Sequence, residues 1–202
     1  MMFGLGKEKI TLEDFTKYLM NTVFNEVTIK DEVNEFIIQA KAFQYDLDRG
    51  FDFIKRHWIA IKAVQVLTLI TDDDVSIRVS LKNKLIPEIE SRFKVSFNHM
   101  RDINDEQGGE LTDFNMYDGH MQKGLLHLDW SHFFSNLKEY IPDNQIEAYE
   151  DEMKKEVANL ESGIKDTTDN SGSNLVFIFK TWRSKQGKNI RSIKDQKKII
   201  FK

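Results

Sequence analysis

Hydrophobic positions recur at helical spacing along most of the chain. Leu12, Phe15, Leu19 and Val23 follow Thr11, a candidate N-cap with Asp14 three residues later as a weaker capping-box partner, and predict a helix near 12–25. A second is predicted near 31–47. The acids Asp31 and Glu32 open it, and Val33, Phe36, Ile37, Ala40, Phe43 and Leu47 form its stripe. Gly50 is placed to close it as a C′ residue, with Arg49 favourably charged for a helix C-terminus. The third, 51–71, is the most apolar. Ile54, Trp58, Ile61, Val64, Leu67 and Ile70 line one face, and Ile59, Ala63, Val66 and Leu69 widen it nearly all round. Only a stripe through Lys62, Gln65 and Thr68 stays polar. A helix apolar on almost every side belongs at the centre of a bundle, so the other helices are expected to pack around this one.

Beyond Thr71 the pattern is ambiguous. Val75, Ile77, Val79 and Leu81 alternate with polar residues at strand period, yet Val75, Val79 and Ile86 also fit one side of a helix. A lone strand has no partner nearby, and helix is the preferred reading. From Pro87 the helical signal is firm, with Ile89, Phe93, Phe97 and Met100 in register, and Pro87 suits a first turn or a kink. Asn104 to Asp118 reads as a polar loop. Helical spacing resumes over Met121–Tyr140, with Leu125, Leu128, His132 and Leu137 on the inner face. After Pro142, a narrow seam of Ile146, Tyr149, Met153, Val157, Leu160 and Ile164 predicts an amphipathic helix near 144–164, peripheral or facing a partner. Lys165–Asn174 reads as a linker, and Leu175–Phe179 as a short strand or a helix start that buries Ile178, Phe179 and Trp182. The expected fold is therefore mainly α: a multi-helix bundle around a buried central helix (51–71), with a short β element near 75–81 or 175–180 left open. Only two prolines in 202 residues favour long helices in the same way.

Composition changes this picture by exclusion. The chain has no cysteine, which removes disulfide scaffolds, zinc fingers, iron–sulfur clusters and thiol enzymes, and fits a reducing cytoplasm as the expected location. The most apolar run, Trp58–Ile70, is broken by Lys62 and Gln65 and is shorter than the roughly 20 residues of a bilayer span. Met1–Lys9 is too short and too charged for a signal peptide.

Charge changes it more. The formal net charge is −4, but residues 180–202 carry nine Lys and Arg against the single acid Asp195, a net of +8, which leaves −12 on the rest. The chain thus divides into an acidic helical domain, 1–166, and a basic C-terminal segment, 175–202. Ile190, Ile193, Ile199, Ile200 and Phe201 within the basic run favour docking of that segment on the acidic body. The 143–166 stretch, with eight acids against three bases, is a possible cradle. The alternative is that Lys185, Lys188, Arg191, Lys194, Lys197 and Lys198 contact a partner, which for a basic run includes nucleic acid or an anionic surface.

Candidate chemistry is sparse. There is no phosphate loop, dinucleotide fingerprint, nucleophile elbow or zincin motif. His120, His127 and His132 lie close in sequence with Asp129, and metal ligands must share a face. Positions 127 and 132, however, stand about 140° apart on a helix, and no histidine has the Glu three residues before it that a di-iron bundle uses. Hydrogen-bonded core histidines are the competing account of these residues and of His57. Asp72–Asp74 lacks the ligand spacing of a calcium loop and reads as helix capping. No cofactor is expected, and no catalytic motif argues for an enzyme. The leading expectation is a soluble helical protein-interaction module, with a protein partner or a second copy of the chain. The alternatives are a nucleic-acid-binding protein using 180–202, and a metal-dependent helical-bundle enzyme using His120, His127, Asp129 and His132.

Overall fold

Thr11 caps the first helix, its hydroxyl accepting from the Asp14 N–H at 3.1 Å and donating to the Asp14 carboxylate at 2.7 Å. The computed structural model describes residues 8–71, 74–95, 97, 101–104, 110–112, 117, 127–161 and 173–200. Among these, α1 spans Leu12–Thr22 and buries Phe15, Leu19 and Met20. At its C-terminal end, the Arg92 guanidinium donates to the carbonyls of Met20 and Phe24.

Helix α2 spans Glu26–Ala42, starting and ending about one turn before the expected range. Its N-cap is Asn25, whose side-chain oxygen accepts from the N–H groups of Val27 and Thr28 at 3.0 and 3.2 Å. Val27, Thr28 and Ile29 are β-branched and weak helix formers, so the sequence hides a start that the cap secures. Gly50 is not the C′ residue of this helix. The chain leaves α2 after Ala42, passes Gln44 at φ 72°, and tucks Tyr45 and Leu47 into the core. Gly50 closes a 3-10 turn, Asp48–Gly50, that runs straight into α3. A Cβ at Gly50 would meet the Cβ of Tyr140 at 3.2 Å, so close approach favours glycine there. Arg49 donates to the carbonyls of Tyr140 and Ile141 at 3.0 and 2.6 Å instead of completing α2.

Helix α3, Phe51–Thr71, is central as expected: every residue from His57 to Leu67 is buried, and α2 packs against it together with the helices of Val75–Phe93, His127–Leu137 and Asn174–Gln196. Helix α4 spans Val75–Phe93 in one piece, so 75–81 is helix and not strand. Asp74 caps it, accepting from the Ile77 N–H at 3.0 Å, and Leu81, Leu85, Ile89 and Phe93 supply a continuous inner face. The inner face is not the Val75–Val79 side, since these are 71% and 50% exposed. Pro87 lies inside the helix, and Lys94, at φ 55°, ends it in the left-handed conformation.

Helix α5 spans His127–Leu137, α6 Ile146–Glu161 and α7 Asn174–Gln196. The 175–180 run is therefore also helix. Ser173 caps it, accepting from the Val176 N–H at 3.3 Å, and helical spacing carries Leu175, Val176, Ile178, Phe179 and Trp182 inward together. On α6 the inward seam differs from the expected one: Tyr149 and Glu156 are buried, while Val157 is exposed. The side chains of Leu160 and Ile164 lie outside the described residues. Strands occur where none was expected. β2, Arg101–Asn104, ends where the predicted polar loop begins and pairs antiparallel with β3, Glu110–Thr112, inside it. β1, Glu8–Thr11, pairs parallel with β4, Lys197–Ile200.

Contacts along α3 orient its neighbours. Trp58 stacks on Trp182, and the Gln65 amide donates to the Arg183 carbonyl, so α7 runs parallel to α3. Phe36 meets Trp58 while Glu32 reaches Lys62, so α2 runs antiparallel to both. No helix among the described residues is long and apolar enough to cross a membrane.

Candidate functional groove between α2 and α7

The polar stripe of α3 does not face water. Lys62 is 1% exposed and reaches between α1 and α2, where its ammonium donates to the Val23 carbonyl at 3.2 Å and to both Glu32 carboxylate oxygens at 3.0 and 2.9 Å. A buried lysine needs such partners, because desolvating an unpaired charge costs several kcal/mol. Burial pushes the Lys62 pKa below its ordinary value, and Glu32 works against that shift. Glu32 takes two further donors from α7, the Trp182 indole N–H at 3.3 Å and the Gln186 amide at 2.8 Å. One carboxylate therefore ties α2, α3 and α7 together. Trp182 in turn lies on Trp58, with ring centroids 4.0 Å apart and planes at 27°.

Above this cluster lies an open groove of about 420 Å³. Each helix contributes six lining residues at the spacing of one helical face, 28, 31, 32, 35, 36 and 39 from α2 and 178, 181, 182, 185, 186 and 189 from α7. The floor is Glu32, Phe36, Ile178, Trp182 and Gln186. Asp31 and Glu35 make the α2 wall acidic, and Lys185 makes the α7 wall basic. Neither Asp31 nor Lys185 takes part in an ion pair among the described residues. By helical phase, the exposed Val27 and Ile38 lie within about 40° of Asp31 on the crest of α2, and the exposed Phe177 lies on the crest of α7.

The other flank of α7 is closed. Lys180 meets Glu156 of α6 at 2.6 Å, with side-chain exposures of 12% and 2%. This is the one point where the basic run meets the acidic 143–166 stretch through a described ion pair. Beside it, Ser173 donates to Glu152 at 2.9 Å, and the Tyr149 hydroxyl donates to the Phe134 carbonyl. Burial raises the phenol pKa values of Tyr149 and of Tyr45, the latter also facing Glu152.

The six expected partner-binding cations are spread out. Lys185 is at the groove, Lys188 and Arg191 are exposed on α7, and Lys194 is half-buried. Each step of three residues turns a helical position back by about 60°, so Lys185 and Lys194 lie on opposite sides of α7. Lys197, in β4, places its ammonium 5.0 Å from the Tyr18 ring centroid, and Lys198 is in register with Lys9 of β1.

Of the metal candidates, His132 is buried, with its ring 6.0 Å from that of His57 and 5.4 Å from that of Tyr117. His57 is fully buried, its Nδ1 2.7 Å from the Tyr117 hydroxyl, which makes it a hydrogen-bonded core histidine. His120 and the side chains of His127 and Asp129 lie outside the described residues. No group of three or more metal-ligating side chains occurs among those described.

Sequence reasoning missed Glu32, Lys62, Trp182 and Gln186 as a unit. The signal was present in Lys62, a charge on a helix otherwise apolar nearly all round. No protein-family model, curated protein or solved structure matches the chain.

Proposed function

We propose that the chain is a helical protein-interaction module whose docking surface is the α2–α7 face. The observation that carries this reading is the groove itself. Two helices side by side present matched faces of six residues each around a floor that Glu32, Trp182 and Gln186 hold rigid. Its crests expose Val27, Ile38 and Phe177, which gain from burial only if something covers them. The walls carry charge and hydrogen-bonding groups, as the rim of a protein interface does.

Site-specific photo-crosslinking tests the reading. A photoreactive residue at Ile38 or Phe177, in cells that produce the protein, is expected to give protein adducts well above those from Val79 on α4. Adducts no more abundant than from Val79 would sink the proposal.

A further inference from the structure

We infer that the occupant of the α2–α7 face is a second copy of this chain, docked about a two-fold axis that lies along the groove. The inference rests on the interaction reading above and names its partner.

The argument begins with the sign of the walls. A groove meant for a basic segment would be acidic on both sides, and one meant for an acidic segment basic on both. This groove has Asp31 and Glu35 on the α2 side and Lys185 on the α7 side. A face of divided sign is best matched by another of divided sign in the opposite order, and a two-fold axis supplies that from the chain itself.

Antiparallel packing then fixes which residues meet. Glu32 bonds to both Trp182 and Gln186, so position 32 sits level with the midpoint of those two. Counting outward in opposite directions, Asp31 is level with Lys185, and Ile38 with Ile178, one residue from Phe177. Rotation about an axis along the groove lays α2 of each copy over α7 of the other and preserves these levels. Asp31 of each copy thus faces Lys185 of the other, and the exposed Ile38 faces the exposed Phe177. Every contact occurs twice, as an isologous interface requires.

The size of the face sets the strength. Helix α2 has 17 residues. At about 1.5 Å per residue, and with two helices about 20 Å across, the face covers roughly 500 Å² per copy, below the about 800 Å² of a standard stable interface. The dimer therefore dissociates on dilution through the micromolar range.

Sedimentation equilibrium of the full chain, from about 1 µM to about 500 µM, spans the range expected for a face of this size. The mass is expected to rise from that of the 23.7 kDa chain towards twice that value. Asp31→Lys and Lys185→Asp each set like charges opposite one another at two symmetric places, and each variant alone is expected to stay monomeric where the parent is dimeric. Mixing the two variants restores opposite charges at both places and is expected to restore the dimer. A contact within one chain would be repaired only by combining both changes in the same chain. A single-chain mass over the whole range, single variants that still dimerise, or a mixture that stays monomeric would each overturn the inference. Crosslinks from Ile38 to a different polypeptide, with the chain monomeric, would overturn the second copy and leave the interaction reading standing.

Discussion

On one flank of α7, Lys180 meets Glu156 with both side chains almost out of water. On the other, Trp182 and Gln186 meet Glu32 at the floor of an open groove. The two flanks use the same kind of group, a glutamate from a neighbouring helix held near a lysine. They differ in what stands over it. Tyr45, Tyr149 and Ser173 are buried around the α6 seam, whereas Asp31, Glu35 and Lys185 keep the α2 seam in contact with water. A covered pair acts as structure, because removing one partner leaves the charge of the other in a site with little water. A pair under an open groove holds two helices at a set spacing while leaving their walls available.

Four substitutions break or sharpen this contrast. The largest loss is expected for Lys180→Met, which takes the ammonium from a Glu156 side chain only 2% exposed and should cost about 3–5 kcal/mol in urea unfolding. Lys62→Met should cost less, about 2–3 kcal/mol, because Glu32 keeps the Trp182 and Gln186 donors and is 14% exposed. Equal losses from the two would remove the distinction between covered and open pairs. Tyr149→Phe removes the buried hydrogen bond to the Phe134 carbonyl and should cost about 1–2 kcal/mol at neutral pH.

That variant also tests the covered flank by pH. The phenols of Tyr149 and Tyr45 have raised pKa values in the fold, so their contribution is complete below the unfolded value of about 10 and is lost as pH climbs towards the native values. Stability should fall above about pH 10, and Tyr149→Phe should flatten that fall. Lys62 acts in the opposite sense. Its native pKa is lowered, so between that value and about 10.4 the unfolded chain binds more protons and stability rises with pH. The smallest effect is expected from Asp31→Asn on the open wall, within about 0.5 kcal/mol, since it breaks no described bond. A larger loss would make the wall part of the scaffold.

The central position of α3 and the capping roles of Thr11 and Asp74 could be read from the sequence, because they depend on periodicity and on residues a few positions apart. The early start of α2 could not, since the β-branched Val27, Thr28 and Ile29 outweigh the single cap at Asn25 on inspection. Val75 and Val79 resembled a core face because they are apolar and one turn apart, but the inner face is set by which side of α4 meets α1 and α3. The groove was hidden for the same reason. Its walls lie 150 residues apart in the chain, Glu32 to Trp182, and hydrophobic periodicity shows which face of a helix is covered without showing what covers it. Glu156 was hidden because a charged residue at an inward position becomes legible only once Lys180 is known to arrive opposite.

The ribbon of β1 and β4 bears on how the molecule is assembled. Glu8 and Lys197 are in register, so this pair closes a loop of nearly the whole described chain. Bringing such distant segments together from an open coil would cost about 5 kcal/mol in closure entropy alone, more than four residue pairs in two strands readily return. Once the helices have docked, most of that cost has been met, because α1 and α7 already deliver their ends to one place. The ribbon should therefore form last and open first, exchanging its amide protons while those of α3 remain protected. It acts as a latch on a finished bundle and takes no part in nucleating it.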